Sequence, residues 1–330
     1  MYNKYACIFG LTGSVGGEAE RAYIKKTYQA VPYEVPQFLH TCDNTEKEEA
    51  INRGVAILKR SSEMVDEVVK AAKSSYTKCP VLIITRGSEG DELNTVYQRL
   101  IKDIANNAEE RMPEQPWPAS RGDVHAVQLL QERNAQGELM IDECNAIVEH
   151  ATKRCYTERR EPYFRITVTD MFGGRGHDFD CMDEGANAAG GMLVIATSIP
   201  DAREWTQWKG RTARQDRPGQ FLVLLSEEEE PFSTEPGLAP LLRGMSADAA
   251  INELLRRKDA SITQTLAAFE GQQARGAWQN EMCEKYYAEK PRGHDAAWPS
   301  EDHRRTDIKL RDMLRVPYAT GQKLRDAASE

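Results

Sequence analysis

The stretch Ile166-Thr167-Val168-Thr169-Asp170-Met171-Phe172-Gly173-Gly174-Arg175-Gly176-His177-Asp178-Phe179-Asp180 decides how the chain is read. A β-branched run, residues 165–169, predicts a strand. It ends in a glycine-rich turn whose backbone can approach a ligand closely. Arg175 and Asp178 then stand at the carboxyl end of that strand. Taken alone, a plain glycine turn between strand and helix is the simpler account.

Working outward, dense apolar runs recur. Val81-Leu82-Ile83-Ile84, Met192 to Thr197 and Phe221 to Leu225 are short, β-branched and lack alternation, as strands covered on both faces are. Residues 124–130 predict another strand. Helical spacing marks 18–28, 46–73, 93–104, 141–152 and 200–214, with Val65, Val68, Val69 and Ala72 forming one stripe in the second. Strands and helices therefore alternate over 80–226, which predicts an α/β fold: a parallel sheet with helices on both faces. Ligands of such sheets lie at the carboxyl ends of the strands. From Glu227 the character changes. Glu227 to Glu230 reads as a solvated linker, followed by a helical tail with Ala250, Ile251, Leu254, Leu255, Ile262, Leu266 and Phe269. The polar end of the chain reads as loosely ordered.

The 330 residues carry a formal charge of −9 and are 40% hydrophobic. An acidic balance argues weakly against a protein built to grip nucleic acid. There is no run of eighteen apolar residues and no signal-peptide pattern. The seven cysteines form no C-x-x-C pair, so neither a zinc knuckle nor a disulfide framework is indicated. His125, His150, His294 and His303 stand in no ligand pattern, and no metal site is expected.

A second informative stretch is REWTQWKGRTARQDRPG, residues 203–219. On a continuous helix Gln207, Arg211 and Arg214 share one face, and Trp205, Trp208 and Thr212 another. The tryptophan face packs on the sheet and aims the arginines outward. Guanidinium groups held rigidly suit phosphate oxygens. Spacing alone leaves a solvated face with surface ion pairs equally open. Near the start, Ile8-Phe9-Gly10-Leu11-Thr12-Gly13-Ser14-Val15-Gly16-Gly17 looks like a strand followed by a phosphate loop, but it lacks the lysine and following hydroxyl that such a loop needs.

In order and spacing these stretches resemble the second motor lobe of the SecA preprotein translocase ATPase family, and more broadly the RecA-like lobes of the helicase superfamily. The family's T-N-M-A-G-R-G-T-D-I is matched by residues 169–179, with one extra residue before Gly174-Arg175-Gly176. Its G-G-L-x-V-I-G-T is matched from Gly190 to Thr197. Its Q-L-R-G-R-S-G-R-Q-G-D-P-G is matched from Gln207 to Gly219, and Val81 to Ser88 is similar to its P-V-L-V-G-T-T-S strand. The likeness runs from about Tyr5 to Ser226.

The resemblance implies that Arg211 and Arg214 reach across an interlobe cleft to the phosphates of ATP. Gln207 opens the same motif. Gly174, Arg175, Gly176 and Asp178 line the cleft and touch the nucleotide. Thr12, Gly13 and Ser14 match a coupling motif at the end of the first lobe. The expected organisation is a remnant of that lobe and a connector over 1–45, a RecA-like second lobe over 46–226, and a scaffold-like helical tail over 227–330. The segment Tyr5 to Phe9 is expected to be an edge strand without its sheet, and the chain to begin where the first lobe ends. ATP and Mg2+ would be held mainly by that lobe, in the same or another polypeptide, because no G-x-x-x-x-G-K-[ST] occurs in the sequence. The chain alone would then be inactive. A preprotein and a Sec-type channel are the implied partners, in the cytoplasm or an organelle stroma, at most peripheral to a membrane. An inactive binding module and half of a nucleic-acid helicase are the alternatives. Ala213 stands where the family has Gly, a mild change on a helix; His177 and Asp216 replace Thr and Gly.

Overall fold

Val81-Leu82-Ile83-Ile84 has no polar alternation because both of its faces are covered: each of the four residues is at most 1% exposed. A computed structural model describes residues 7, 9–35, 50–86, 92–105, 126–132, 141–156, 160–213 and 217–289. Among them the main sheet has six strands, β1 (Ile51–Leu58), β2 (Val81–Ile84), β3 (Val127–Leu130), β6 (Ile166–Thr169), β7 (Leu193–Ala196) and β8 (Gln220–Ser226). Their order is β1-β8-β7-β2-β6-β3, and every neighbouring pair is parallel. The short strands β4 (Cys155–Tyr156) and β5 (Pro162–Tyr163) form a separate antiparallel pair.

Helices cover both faces, a parallel α/β arrangement. Alternate residues of each strand feed two cores. Val81, Ile83, Val168 and Ile195 meet α2 (Ser61–Ser75) through Met64, Val65, Val68, Val69 and Ala72, and α3 (Glu92–Ala105) through Leu93, Val96 and Leu100. Leu82, Ile84, Val194 and Val223 meet α4 (Ile141–Ala151) through Ile147 and Val148, and α6 (Ala202–Lys209) through Trp205 and Trp208. Phe232, α7 (Leu238–Arg243) and residues Ala250, Ile251 and Leu254 of α8 (Ala247–Glu289) belong to the same core. The chain divides into two compact units, Met1–Ala260 and Ser261–Glu330, so the sheet-bearing unit runs well past Glu227. In the second unit the described residues, 261–289, are helical. No helix among the described residues is long and apolar enough to cross a membrane.

Four expectations need correction. The helix expected over 46–73 is a strand, β1, followed by α2; residues 46–49 lie outside the described ones. Ile51, Val55 and Leu58 fall at helical spacing, but pairing with β8 from Ile51↔Gln220 to Leu58↔Ser226 satisfies their backbone instead. As an edge strand, β1 is only half covered, and Gly54 lies within a shift of register, so its alternation is blurred. The helix expected over 200–214 stops at Lys209, with Gly210 as its cap. Cys7 and Phe9, the described residues of the expected first strand, form no strand, and Phe9 is 91% exposed. Glu227 to Glu230 is not a free linker. Glu227 pairs with Arg243, the Glu228 carboxylate caps the Ser61 amide at 2.8 Å, and Glu229 pairs with Arg86 and accepts from Ser61 Oγ at 3.1 Å. A carboxylate at the first amides of α2 is favoured by the helix dipole. The helix 18–28 is found as α1 (Glu18–Tyr28). α5 (Glu184–Ala188) is a short addition, N-capped by Asp183.

Gly191 shows how tightly β7 and β8 are joined. Its φ is +77° and a Cβ there would stand 1.9 Å from the Pro218 carbonyl oxygen. Gly191→Ala is expected to cost about 2–5 kcal/mol, left-handed strain and overpacking together. Gly237→Ala, where nothing lies within 4 Å, is expected to stay within about 1 kcal/mol. Urea unfolding midpoints of the two variants check the contrast.

Candidate functional site

The turn that follows β6 is wound by its own side chains. Asp170 Oδ1 accepts from the Phe172 amide at 2.8 Å, and Thr169 Oγ1 accepts from the Gly173 amide at 3.1 Å while donating to the Leu130 carbonyl. Gly173 and Gly174 are both buried. A Cβ on Gly174 would lie 2.3 Å from Trp208 Nε1, so the turn rests directly on the indole of α6. That close approach explains the glycine.

Beyond Gly210 the chain makes a tight turn, and Arg211 points inward. It is 5% exposed. Its Nε donates to the Gly174 carbonyl at 3.0 Å and its Nη1 to the His177 carbonyl. α6 ends before Arg211, so Gln207 and Arg211 are not carried on one continuous helix face. Glu204, Trp208 and Arg211, at i, i+4 and i+7, are the side chains turned to the glycine turn. Arg214 lies outside the described residues, and Gln207 stands half-buried on α6. Thr212 Oγ1 donates to the Met192 carbonyl at 2.7 Å, tying the motif to the start of β7. Ala213 has φ 52° and is not helical, so the missing glycine matters more than a helix would have allowed.

Arg175 and Asp178 are exposed. Arg175 Nε stands 3.0 Å from Glu204 Oε1, whose side chain is 2% exposed. Burial pushes the Glu204 carboxyl above its ordinary range, and the Arg175 charge pulls it partly back. His177 is edge-on to Phe172, with ring centroids 4.7 Å apart. Burial, helped by the Arg211 charge, pulls its imidazole down. Gly176, His177 and Asp178 line one side of an open cleft of about 920 Å³, and Glu149, Lys153 and Arg154 another. Thr12, Gly13 and Ser14 form a turn in which Thr12 Oγ1 donates to the Ser14 carbonyl at 2.8 Å and accepts from the Ser14 amide at 3.3 Å. Among the described residues no group of His, Cys, Asp or Glu is arranged to hold a metal.

The turn, α6 and Arg211 thus form one unit at the carboxyl end of the sheet. Sequence comparison finds part of the chain similar to part of a SecA protein. It is 28% identical over 153 residues to the protein translocase subunit SecA 2 of Pediococcus pentosaceus. The match takes in 46% of this chain and 17% of that protein, so the chain spans less than a fifth of the curated relative. No family model matches. Among solved structures, a variant of S. cerevisiae Dbp5 bound to a variant of Gle1 and to IP6 is similar over 74% of this chain and 52% of its own. It is 13% identical with a TM-score of 0.35, too loose an overlap to define a shared fold in detail. The level of relationship supported is likeness of less than half of this chain to part of a SecA protein, without assignment to a particular member.

Glu204, one helical turn before Trp208, has no local signal that separates it from an ordinary solvated helix carboxylate.

Arg211→Ala leaves two carbonyls of the turn without their donor. An expected loss of about 2–4 kcal/mol follows, read from urea unfolding, and Arg211→Lys does not restore it because a single ammonium cannot replace the fork. Ala213→Gly relieves about 1–2 kcal/mol of left-handed strain, of which the freer unfolded chain takes back about 0.4–1. The expected result is a rise of a few degrees at most in melting temperature, measured by calorimetry.

Proposed function

We propose that the chain is the second nucleotide-facing lobe of a SecA-like, ATP-driven protein translocase motor. The observation that carries this reading is the clamp of Arg211 on the glycine turn. It joins the two motifs most like SecA at the carboxyl end of a parallel sheet, where such sheets hold ligands. ATP and Mg2+ are held mainly by a first lobe, in the same or another polypeptide. Gly174, Arg175, Gly176 and Asp178 face the nucleotide, and Gln207 opens the arginine motif. Arg211 and Arg214 supply positive charge to the phosphates. Arg211 does so by exchanging its turn carbonyls for phosphate oxygens, so nucleotide arrival and turn geometry are linked. Thr12, Gly13 and Ser14 couple hydrolysis to lobe movement, and a preprotein and a Sec-type channel are the partners.

The engagement of Arg211 with its own turn favours a second reading, an inactive binding module of the same fold. In that case Arg214→Ala leaves the activity of the complete, reconstituted motor unchanged. On the motor reading it lowers turnover by about 10³-fold or more. Phosphate release by the purified chain alone is expected at background, because the sequence has no phosphate-loop lysine. Robust ATP turnover by that preparation overturns the two-lobe assignment.

A further inference from the structure

Three side chains of α6 meet the glycine turn. Trp208 fills the space beneath Gly174, and Arg211 holds two carbonyls. Glu204 does neither. Its side chain is 2% exposed, yet the cation 3.0 Å away, Arg175, has a side chain that is 52% exposed. As a stabilising device this is a poor arrangement. The carboxylate gives up nearly all of its water, while a guanidinium still half in solvent returns only a screened attraction. The other charge bearing on it, Asp201 at the N-cap of α6, is of the same sign and pushes its carboxyl further up.

What the pair does accomplish is direction. Nε is the Arg175 nitrogen that faces Glu204 Oε1, as an ion pair at 3.0 Å that falls short of hydrogen-bond geometry, and no other side-chain ion pair or hydrogen bond of Arg175 occurs among the described residues. The two terminal amino groups, the fork that matches phosphate oxygens, are left to a ligand. We propose that Glu204 is a positioning residue: it holds Arg175 by Nε so that the end of the guanidinium is presented to the anionic oxygens of a phosphate-bearing ligand at the glycine turn. The assignment rests on the reading of that turn as nucleotide-facing.

The sign of the pH dependence follows from the direction of the Glu204 shift. The folded state binds the Glu204 proton more readily than the unfolded chain, so the charged form costs stability. That cost is absent below the ordinary value of 4.5 and is complete once pH has risen through the raised folded value. The contact with Arg175 runs the other way, being formed above the folded value and lost below it. Glu204→Gln is therefore expected to unfold at or above the wild-type temperature at pH 7.5 while losing its hold on Arg175. A merely structural ion pair predicts a lower unfolding temperature.

Nuclear magnetic resonance of the full chain with labelled arginine tests this through the Arg175 Nε–Hε signal, assigned by its disappearance in Arg175→Lys. In the wild type a sharp signal, exchanging slowly with water at pH 7.5, is expected. Glu204→Gln speeds its exchange by about tenfold or more, and acidifying the wild type lowers its protection in the same way once the slowing of base-catalysed exchange in acid is divided out. Pyrophosphate at millimolar concentration is expected to shift the wild-type signal and to bind Glu204→Gln more weakly. An Arg175 signal that already exchanges rapidly in the wild type overturns the hold by Glu204. A well-ordered signal that ignores pyrophosphate overturns the phosphate-facing reading of the turn and leaves the hold standing. If Glu204→Gln fails to fold, the acid titration of the wild type decides alone.

Discussion

The guanidinium of Arg211, buried and donating to the carbonyls of Gly174 and His177, is the contact on which the site depends. It closes a ring of constraints. β6 delivers the turn, Trp208 supports it from below, and the segment after α6 reaches over to fasten it. A buried guanidinium needs acceptors, and buried carbonyls need donors. Each therefore fixes the other, and the short α6 ends at Gly210 so that the next residue can turn inward.

The same economy appears at the other strand ends. Ser61, Arg86 and the run Glu227 to Glu229 meet where β1, β2 and β8 finish. These polar ties occupy the carboxyl edge of the sheet beside the glycine turn. Burial places the Glu92 carboxyl above its ordinary range there, whereas the Arg86 partner draws Glu229 below it. Opposite shifts in two carboxylates near one arginine follow from depth. Glu92 is 10% exposed and Glu229 31%, so desolvation outweighs attraction only in the former.

Much of the sheet could be read from the chain. Val81 to Ile84, Ile166 to Thr169 and Leu193 to Ala196 are buried on both faces, and doubly buried strands leave a continuous apolar run in the sequence. β1 was hidden because an edge strand is half exposed, and its register shift breaks the period of two. Among the site residues, the glycines and Arg175 were legible from their crowding after a strand. The inward turn of Arg211 was not. Helical spacing continues through Gly210 in the sequence, and nothing local reveals that two carbonyls 34 and 37 residues earlier are waiting for donors. Glu204 was invisible for the same reason, since a carboxylate on a helix is usually solvated.

By itself the sequence determined the alternation of strands and helices, the two tryptophans as core, and the glycine turn at the end of β6. These are properties of short windows, in which periodicity and residue volume suffice. Only the tertiary structure decided which side chains of α6 face that turn, that Arg211 is a clamp in the folded chain, and that Glu204 stands behind Arg175. Those outcomes rest on pairing buried donors and charges with partners distant in sequence, and the energy of such pairs depends on solvent exclusion that exists only after the chain has folded.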